Sequence, residues 1–228
     1  MAKGERFKAL RLTLPVACGY LFLGTAFGAM LAQAGFGPAW ALAASGLVYA
    51  GSLQFVMVPF MAAGTSLATV ALTALMVNAR HIFYGLSFIE RFSRMGAWRP
   101  YMIFSLTDET YSVFCSLPGE ETDGVMTRIS LYDQMYWVTG SVVGGLLATN
   151  LPFDLTGIDF SMTALFVTVF VEQWTGTREH RPALLGVGAT VLCLALFGQE
   201  VFLIPSMLVI TLALTALRAG LEGGADHA

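Results

Sequence analysis

From Leu12 to Ala79 the chain runs for 68 residues without one Asp, Glu, Lys or Arg. A helix on the surface of a soluble domain turns charged and polar residues to water, and a stretch this long holds three helices with no such face. The alternative is a lipid environment, whose hydrocarbon layer of roughly 30 Å is crossed by about 20 apolar residues in a helix. Further uncharged runs cover residues 134–153, 160–171, 182–199 and 201–217. Charged residues make up 12% and apolar residues 56% of the chain, against about 25% charged in soluble domains; mean hydropathy is +0.70. These features exclude a soluble globule, a disordered chain, a disulfide scaffold and a nucleic-acid binder. The apolar runs are continuous and not alternating, which argues for helices over a strand barrel. The expected fold is an all-α polytopic membrane protein with seven or eight transmembrane segments.

Turn residues place the segments at about 12–34, 38–61, 65–89, 100–117, 131–150, 159–174, 183–198 and 202–218. Gly35-Phe36-Gly37-Pro38, Ala63-Gly64-Thr65, Leu117-Pro118-Gly119 and Leu151-Pro152 punctuate them. The expected organisation is a cytoplasmic N-terminus over 1–11, one transmembrane domain over 12–218, and a polar tail over 219–228. Lys3, Arg6, Lys8 and Arg11 hold the N-terminus in the cytoplasm under the positive-inside rule. The apolar stretch that follows outruns the roughly 7–15 residues of a cleaved signal. The three cysteines, Cys18, Cys115 and Cys193, lack metal-ligand spacing and read as small buried hydrophobes.

One conflict arises. Residues 90–99 carry Arg91, Arg94 and Arg99 and read as cytoplasmic, yet three straight crossings would put them outside. Either one early segment fails to cross or the basic bias misleads. Gly-rich sequence with Pro15 and Pro59 favours a broken or re-entrant segment, which is tolerated where it lines a cavity.

A weak internal echo is present. Gly24-Thr25-Ala26-Phe27-Gly28 with Leu31-Ala32 matches Gly140-Ser141-Val142-Val143-Gly144 with Leu147-Ala148 at a spacing of 116, and Gln54-Phe55 matches Gln173-Trp174 at 119. Two repeat-like halves, about 12–117 and 131–218, fit the plan of many secondary transporters. An acidic 118–128 loop outside and a basic N-terminus inside would make the repeats inverted.

The glycine pairs Gly24/Gly28 and Gly140/Gly144 suit either close helix packing or unwound backbone whose free N–H groups bind a carboxylate. Ser52 and Gln54 are uncharged polar groups in the second segment, fit for helix–helix hydrogen bonding or for substrate. Asn78, Arg80, His81 and Tyr84 bring a polar patch to the third segment. A charge facing lipid costs at least about 2.5 kcal/mol, so Arg80 faces protein, headgroup or water; His81 is a proton relay or a structural histidine. Asp108 and Glu109 are adjacent carboxylates within the fourth segment, Asp108 on a stripe with Tyr101, Ser105, Ser112 and Cys115. Intramembrane acids are functional candidates by default, the alternative here being a structural pair with Arg80. Asp108, Glu109 and His81 are therefore the expected proton-coupling residues. Gly24, Gly28, Ser52, Gln54 and Asn78 are the expected substrate-binding set. Arg80, Tyr84, Gly140, Gly144, Glu172 and Gln173 are expected to be structural or gating. Walker loop, metal-ligand constellation and nucleophile elbow are all lacking, so no enzyme, cofactor or metal is expected.

Taken together, Leu14-Pro15, Gly24 to Gly28, Ala50-Gly51-Ser52-Leu53-Gln54-Phe55, Asn78-Ala79-Arg80-His81-Ile82-Phe83-Tyr84-Gly85, Thr107-Asp108-Glu109 and Asp159-Phe160 through Glu172-Gln173-Trp174 resemble the AzlC family over roughly residues 10–218. Leu53 and Ala79 stand where Ala and Leu are expected in that family; neither change removes a polar group. The resemblance implies the large subunit of a two-component exporter of branched-chain amino acids (leucine, isoleucine, valine, also methionine). It implies a bacterial inner-membrane location, the proton gradient as driving force, and a small membrane subunit of the AzlD type as partner. A non-transporting scaffold and a passive channel are the other classes the residues allow.

Overall fold

A computed structural model describes residues 2–78, 80–117, 121–150, 167, 170–171, 174–175, 179–198 and 202–222. All the regular elements among them are helical. The chain divides into two compact units, Met1–Met162 and Thr163–Ala228.

The first unit is built on two long helices, α1 (Ala2–Gln33) and α9 (Asp123–Asn150). Their glycines decide how they meet. A Cβ on Gly28 would overlap the carbonyl oxygen of Ser141, and one on Gly144 would overlap that of Thr25. Gly24 and Gly140 are similarly closed, with Trp137 O 2.9 Å and Leu21 O 2.7 Å from where their Cβ atoms would stand. The two backbones are thus in direct contact, the arrangement that small residues permit. The helices are parallel: Glu5 meets Arg128, Thr13 meets Tyr136, Gly24 meets Gly140 and Thr25 meets Gly144. This corrects the expected inversion, because the echoed glycine motifs run in the same direction. The reason is the acidic loop. Glu121 pairs with Lys8, and Glu5 takes both Arg128 at 2.8 Å and Thr122 at 3.0 Å, so the loop shares an end with the basic N-terminus. That N-terminus is itself helical from Ala2.

Between these helices the expected second segment is broken. α2 (Pro38–Leu47) starts with proline in its first turn, where no N–H is missed, and α3 (Gly51–Ala63) ends on Gly64 in the left-handed region (φ 61°). α2 descends from Pro38, 3.3 Å from the Cβ position of Gly145, to Gly46, whose carbonyl accepts from Gln134 at 3.2 Å. α3 returns from Gly51, beside Trp137, to Met61, which shares an apolar recess with Leu31 and Trp40. The segment is a hairpin that enters from the C-terminal end of the α1–α9 pair and leaves by that end. Its tip holds Tyr49 at φ 44°, a strained conformation for a bulky side chain.

The third segment is also interrupted. α4 (Leu67–Val77), capped by Ser66 accepting from Thr69 N–H, stops at Asn78; α5 (Arg80–Ser87) and α6 (Ile89–Ser93) carry the chain on to the N-terminal end. There Phe92 and Met95 join Ala9, Val125 and Met126 in one apolar core. The basic segment 90–99 therefore lies at the same end as the N-terminus, because the hairpin does not pass from one end to the other.

A second hairpin enters from this end. After a 3₁₀ turn (Gly96–Trp98), α7 (Arg99–Phe104) runs inward and α8 (Asp108–Cys115) runs back. Tyr101 reaches Gln134 and Met102 reaches Ser130 on the way in, and Phe114 reaches the Ala9–Val125 core on the way out. The expected straight fourth segment is therefore corrected as well. The break at Ser105-Leu106-Thr107 interrupts the Tyr101–Cys115 stripe and puts Asp108 at a helix start. Thr107 caps α8, its hydroxyl accepting from Thr110 N–H at 3.3 Å. The two hairpin tips approach one another, with the rings of Tyr49 and Phe104 6.1 Å apart.

Among the described residues one helical stretch, Gly4–Gln33, is long and apolar enough to cross a membrane; the breaks leave Gly51–Ala63 and Leu67–Val77 shorter, and Arg181–Phe197 and Leu208–Leu217 are shorter as well. In the second unit α10 (Arg181–Phe197) and α11 (Leu203–Glu222) pack on each other, with Gly198 (φ 74°) ending the first. The expected segment at 159–174 lies mostly outside the described residues.

Candidate functional site

The tips of the two hairpins converge on the middle of α1 and α9, and the polar side chains collect there. From α1, Tyr20 is 4% exposed, and its ring packs edge-on against Trp137 at 5.3 Å. Its hydroxyl donates to Glu109 Oε2 at 2.6 Å and contacts Thr107 Oγ1 at 2.7 Å. Thr107 Oγ1 meets Thr110 Oγ1 at 3.1 Å, and Thr110 donates to Asp133 Oδ2 at 2.8 Å. Asp133 is fully buried, and its other oxygen, Oδ1, has no hydrogen-bond partner. Tyr49 and Ser105, from the two tips, are also buried, and their hydroxyls make no hydrogen bond of normal geometry. A buried polar atom left unsatisfied costs about 1–3 kcal/mol. Their gathering in one place marks a site whose polarity the fold alone does not require.

Of the expected proton-coupling residues, Glu109 is in this cluster and Asp108 adjoins it, half-buried, in the first turn of α8. The helix dipole favours carboxylates at that position. His81 stands apart. Its Nδ1 contacts the carbonyl of Asn78 at 3.2 Å, and ring contacts from His81 to Tyr84 and from Tyr84 to Tyr111 lead to α8.

The expected substrate-binding set is not brought together. Gly24 and Gly28 lie in unbroken helix and are sealed against α9, so no unwound backbone is offered there. Gln54 is fully buried and fully engaged: Trp137 Nε1–H donates to its Oε1 at 2.9 Å, and its Nε2 donates to Ser45 at 3.3 Å. It ties the first hairpin to α9. Asn78 ends α4 through its backbone N–H, and Ser52 lies half-buried in the first turn of α3. Gly140 and Gly144 hold the structural role expected of them. Tyr84 stacks on Tyr111 at 4.5 Å. Glu172, Gln173 and the side chain of Arg80 lie outside the described residues.

Sequence reasoning placed Tyr101 on the polar stripe of the fourth segment but passed over Tyr20, Tyr49, Thr110, Asp133, Gln134 and Trp137. A signal for Asp133 was present in the sequence: it is the one charged residue of the expected segment 131–150; the helix that holds it starts ten residues earlier, at Asp123. Among the described residues no three His, Cys, Asp or Glu side chains gather as a metal site would require.

The family model described as AzlC protein matches residues 15–151. The branched-chain amino acid transport protein AzlC of Bacillus subtilis is 38% identical over 217 residues, covering 94% of this chain and 85% of that protein. A Helicobacter pylori protein described as an uncharacterized membrane protein is 40% identical over 214 residues, covering 92% and 93%. The inner membrane protein YgaZ of Escherichia coli is 27% identical over 203 residues, covering 85% and 80%. No solved structure matches. The matched span takes in α1, both hairpins and α9, so the elements that build the buried cluster are those the family shares: the chain belongs to the AzlC family.

Proposed function

We propose that this chain is the large subunit of a transporter that exports branched-chain amino acids across the bacterial inner membrane, driven by the proton gradient and working with a small AzlD-type membrane subunit. Similarity to a protein named for branched-chain amino acid transport supports the substrate class. The carrying observation for the mechanism is the polar cluster that joins half-buried Glu109 to fully buried Asp133 at the meeting of two hairpins from opposite ends. Broken, non-spanning backbone at membrane depth is tolerated where it is buried in protein or lines a cavity, and discontinuous helices of this kind form the midplane sites of secondary transporters.

In a membrane the hairpins over 38–61 and 100–117 are re-entrant, so the second and fourth of the expected segments do not cross. The N-terminus, the basic 90–99 segment and the start of α9 then share the cytoplasmic side, which fits the positive-inside rule. Large apolar side chains remain exposed on the first unit, Phe22 at 69% and Leu14 at 60% among them, as lipid contact requires.

Deletion of the gene is expected to increase growth inhibition by excess valine or by leucine-containing dipeptides. Unchanged sensitivity with altered lysine or sugar tolerance would overturn the substrate. Purification from native membranes is expected to bring down a second small, apolar chain; full transport by the isolated chain would overturn the two-component arrangement.

A further inference from the structure

The polar cluster has an arithmetic of its own. Glu109, Tyr20, Thr107, Thr110 and Asp133 form an unbroken series with four oxygen–oxygen contacts, of 2.6, 2.7, 3.1 and 2.8 Å. Two carboxylates end the series and three hydroxyls lie between them. With both carboxylates ionised, three hydroxyl protons serve four contacts. If Tyr20 donates to Glu109, Thr107 to Thr110 and Thr110 to Asp133, the Tyr20–Thr107 contact is two oxygens at 2.7 Å with no hydrogen between them. One further proton, on either carboxylate, fills every contact. Thr107 Oγ1 also accepts Thr110 N–H, which fixes its position and leaves its single hydroxyl proton free to point to either neighbour.

We propose that this series is a relay that holds one shared proton and passes it between Asp133 on α9 and Glu109 on the second hairpin; the inference rests on the transport reading for its purpose, though not for its chemistry. In the passing step Asp133 gives its proton to Thr110, whose own proton goes to Thr107, whose proton goes to Tyr20, whose proton goes to Glu109. One O–H bond breaks and one forms at each hydroxyl. Each hydroxyl ends with one proton, and the net change is a charge moved from Glu109 to Asp133. The return step reverses every bond.

The surroundings suit such a chain. Asp133 is fully buried, and the charged group acting on it is Glu109. The other titratable groups acting on the series are Tyr49 from the first hairpin tip and Tyr101 from α7; Asp108 precedes Glu109 in the first turn of α8. Tyr20, Thr107, Thr110 and Asp133 are buried, which keeps water from short-circuiting the hydroxyls, and an unpaired charge on Asp133 is costly there, which favours keeping a proton within the series. Because the relay joins the tip of a hairpin to a long helix, a shift of that tip by one bond length opens it. Proton passage is thereby tied to hairpin position.

The test is infrared spectroscopy of the purified full-length protein at neutral pH, read at the protonated-carboxyl stretch. A band is expected in the wild type, and it should change in Asp133→Asn and also in Glu109→Gln, because both ends share the proton. No such band, a band neither variant alters, or a band only one alters would overturn the relay. A second readout uses proteoliposomes: Thr110→Val should lower the ratio of gradient-driven leucine accumulation to leucine exchange by roughly a hundredfold, and Thr110→Ser should restore it. A wild-type ratio in folded Thr110→Val would overturn the relay. If Thr110→Val fails to fold, the infrared comparison decides. Should the wild type move no leucine at all, the transport reading fails, while the infrared bands still decide the relay.

Discussion

At the scale of single residues, side chains fall into those that are saturated and those that are not. Gln54 is saturated. Replacing it with Leu strands the Trp137 indole N–H and removes the amide from Ser45, at a cost of about 1–3 kcal/mol; thermal unfolding in detergent should fall accordingly, and an unchanged midpoint would show that the hairpin is held elsewhere. Asp133 is the opposite case, since one of its oxygens has no partner. Asp133→Asn keeps the shape and an acceptor for Thr110 while removing a buried charge. It should therefore leave the unfolding midpoint unchanged or raise it, as happens where function and stability conflict. A large fall would assign Asp133 to structure alone. The sequence made Glu109 and Asp108 legible because acids are conspicuous in an apolar run. Tyr20 was not legible, since a tyrosine in a charge-free stretch looks like any core aromatic until the chain places Glu109 2.6 Å away. Asp133 escaped because it borders the uncharged run that starts at Gln134, and only the true helix start at Asp123 shows how deep it lies.

At the scale of elements, the close approach of α1 and α9 is the feature most exposed to test. Gly28→Ala and Gly144→Ala each place a methyl group against the opposite backbone, which cannot yield as a flexible side chain would. Each should destabilise by roughly 1–3 kcal/mol, the cost of overpacking. Gly19→Ala, with nothing within 4 Å of its Cβ, should not destabilise. Equal behaviour of all three in thermal unfolding would contradict the packing. The small-residue spacing that marks this contact is readable in sequence, and so are the segment limits set by Gly and Pro. The breaks within segments are less so. Tyr49 adopts φ 44° without a glycine, and Thr107 caps α8 inside a run whose hydropathy suggests one helix. Both depend on tertiary contacts at the hairpin tips, and periodicity carries no trace of them.

At the scale of the whole molecule, the two hairpins resolve the conflict between the basic segment 90–99 and a count of straight crossings. A single cysteine at Ser93 and one at Thr122, in a background lacking Cys18, Cys115 and Cys193, should react with a membrane-impermeant maleimide from the cytoplasmic side, and one at Ser66 from the opposite side. Labelling of Ser93 and Ser66 positions from the same side would refute the topology. The central proposal is that the carboxylate cluster between opposed hairpins couples protons to branched-chain amino acid movement. The most direct measurement is leucine uptake into inside-out vesicles containing the chain and the proposed small subunit, with a pH gradient imposed across the membrane. The account predicts saturable accumulation above the external concentration that collapses when a protonophore is added. Flux that neither saturates nor responds to the gradient, or no flux at all, would contradict it.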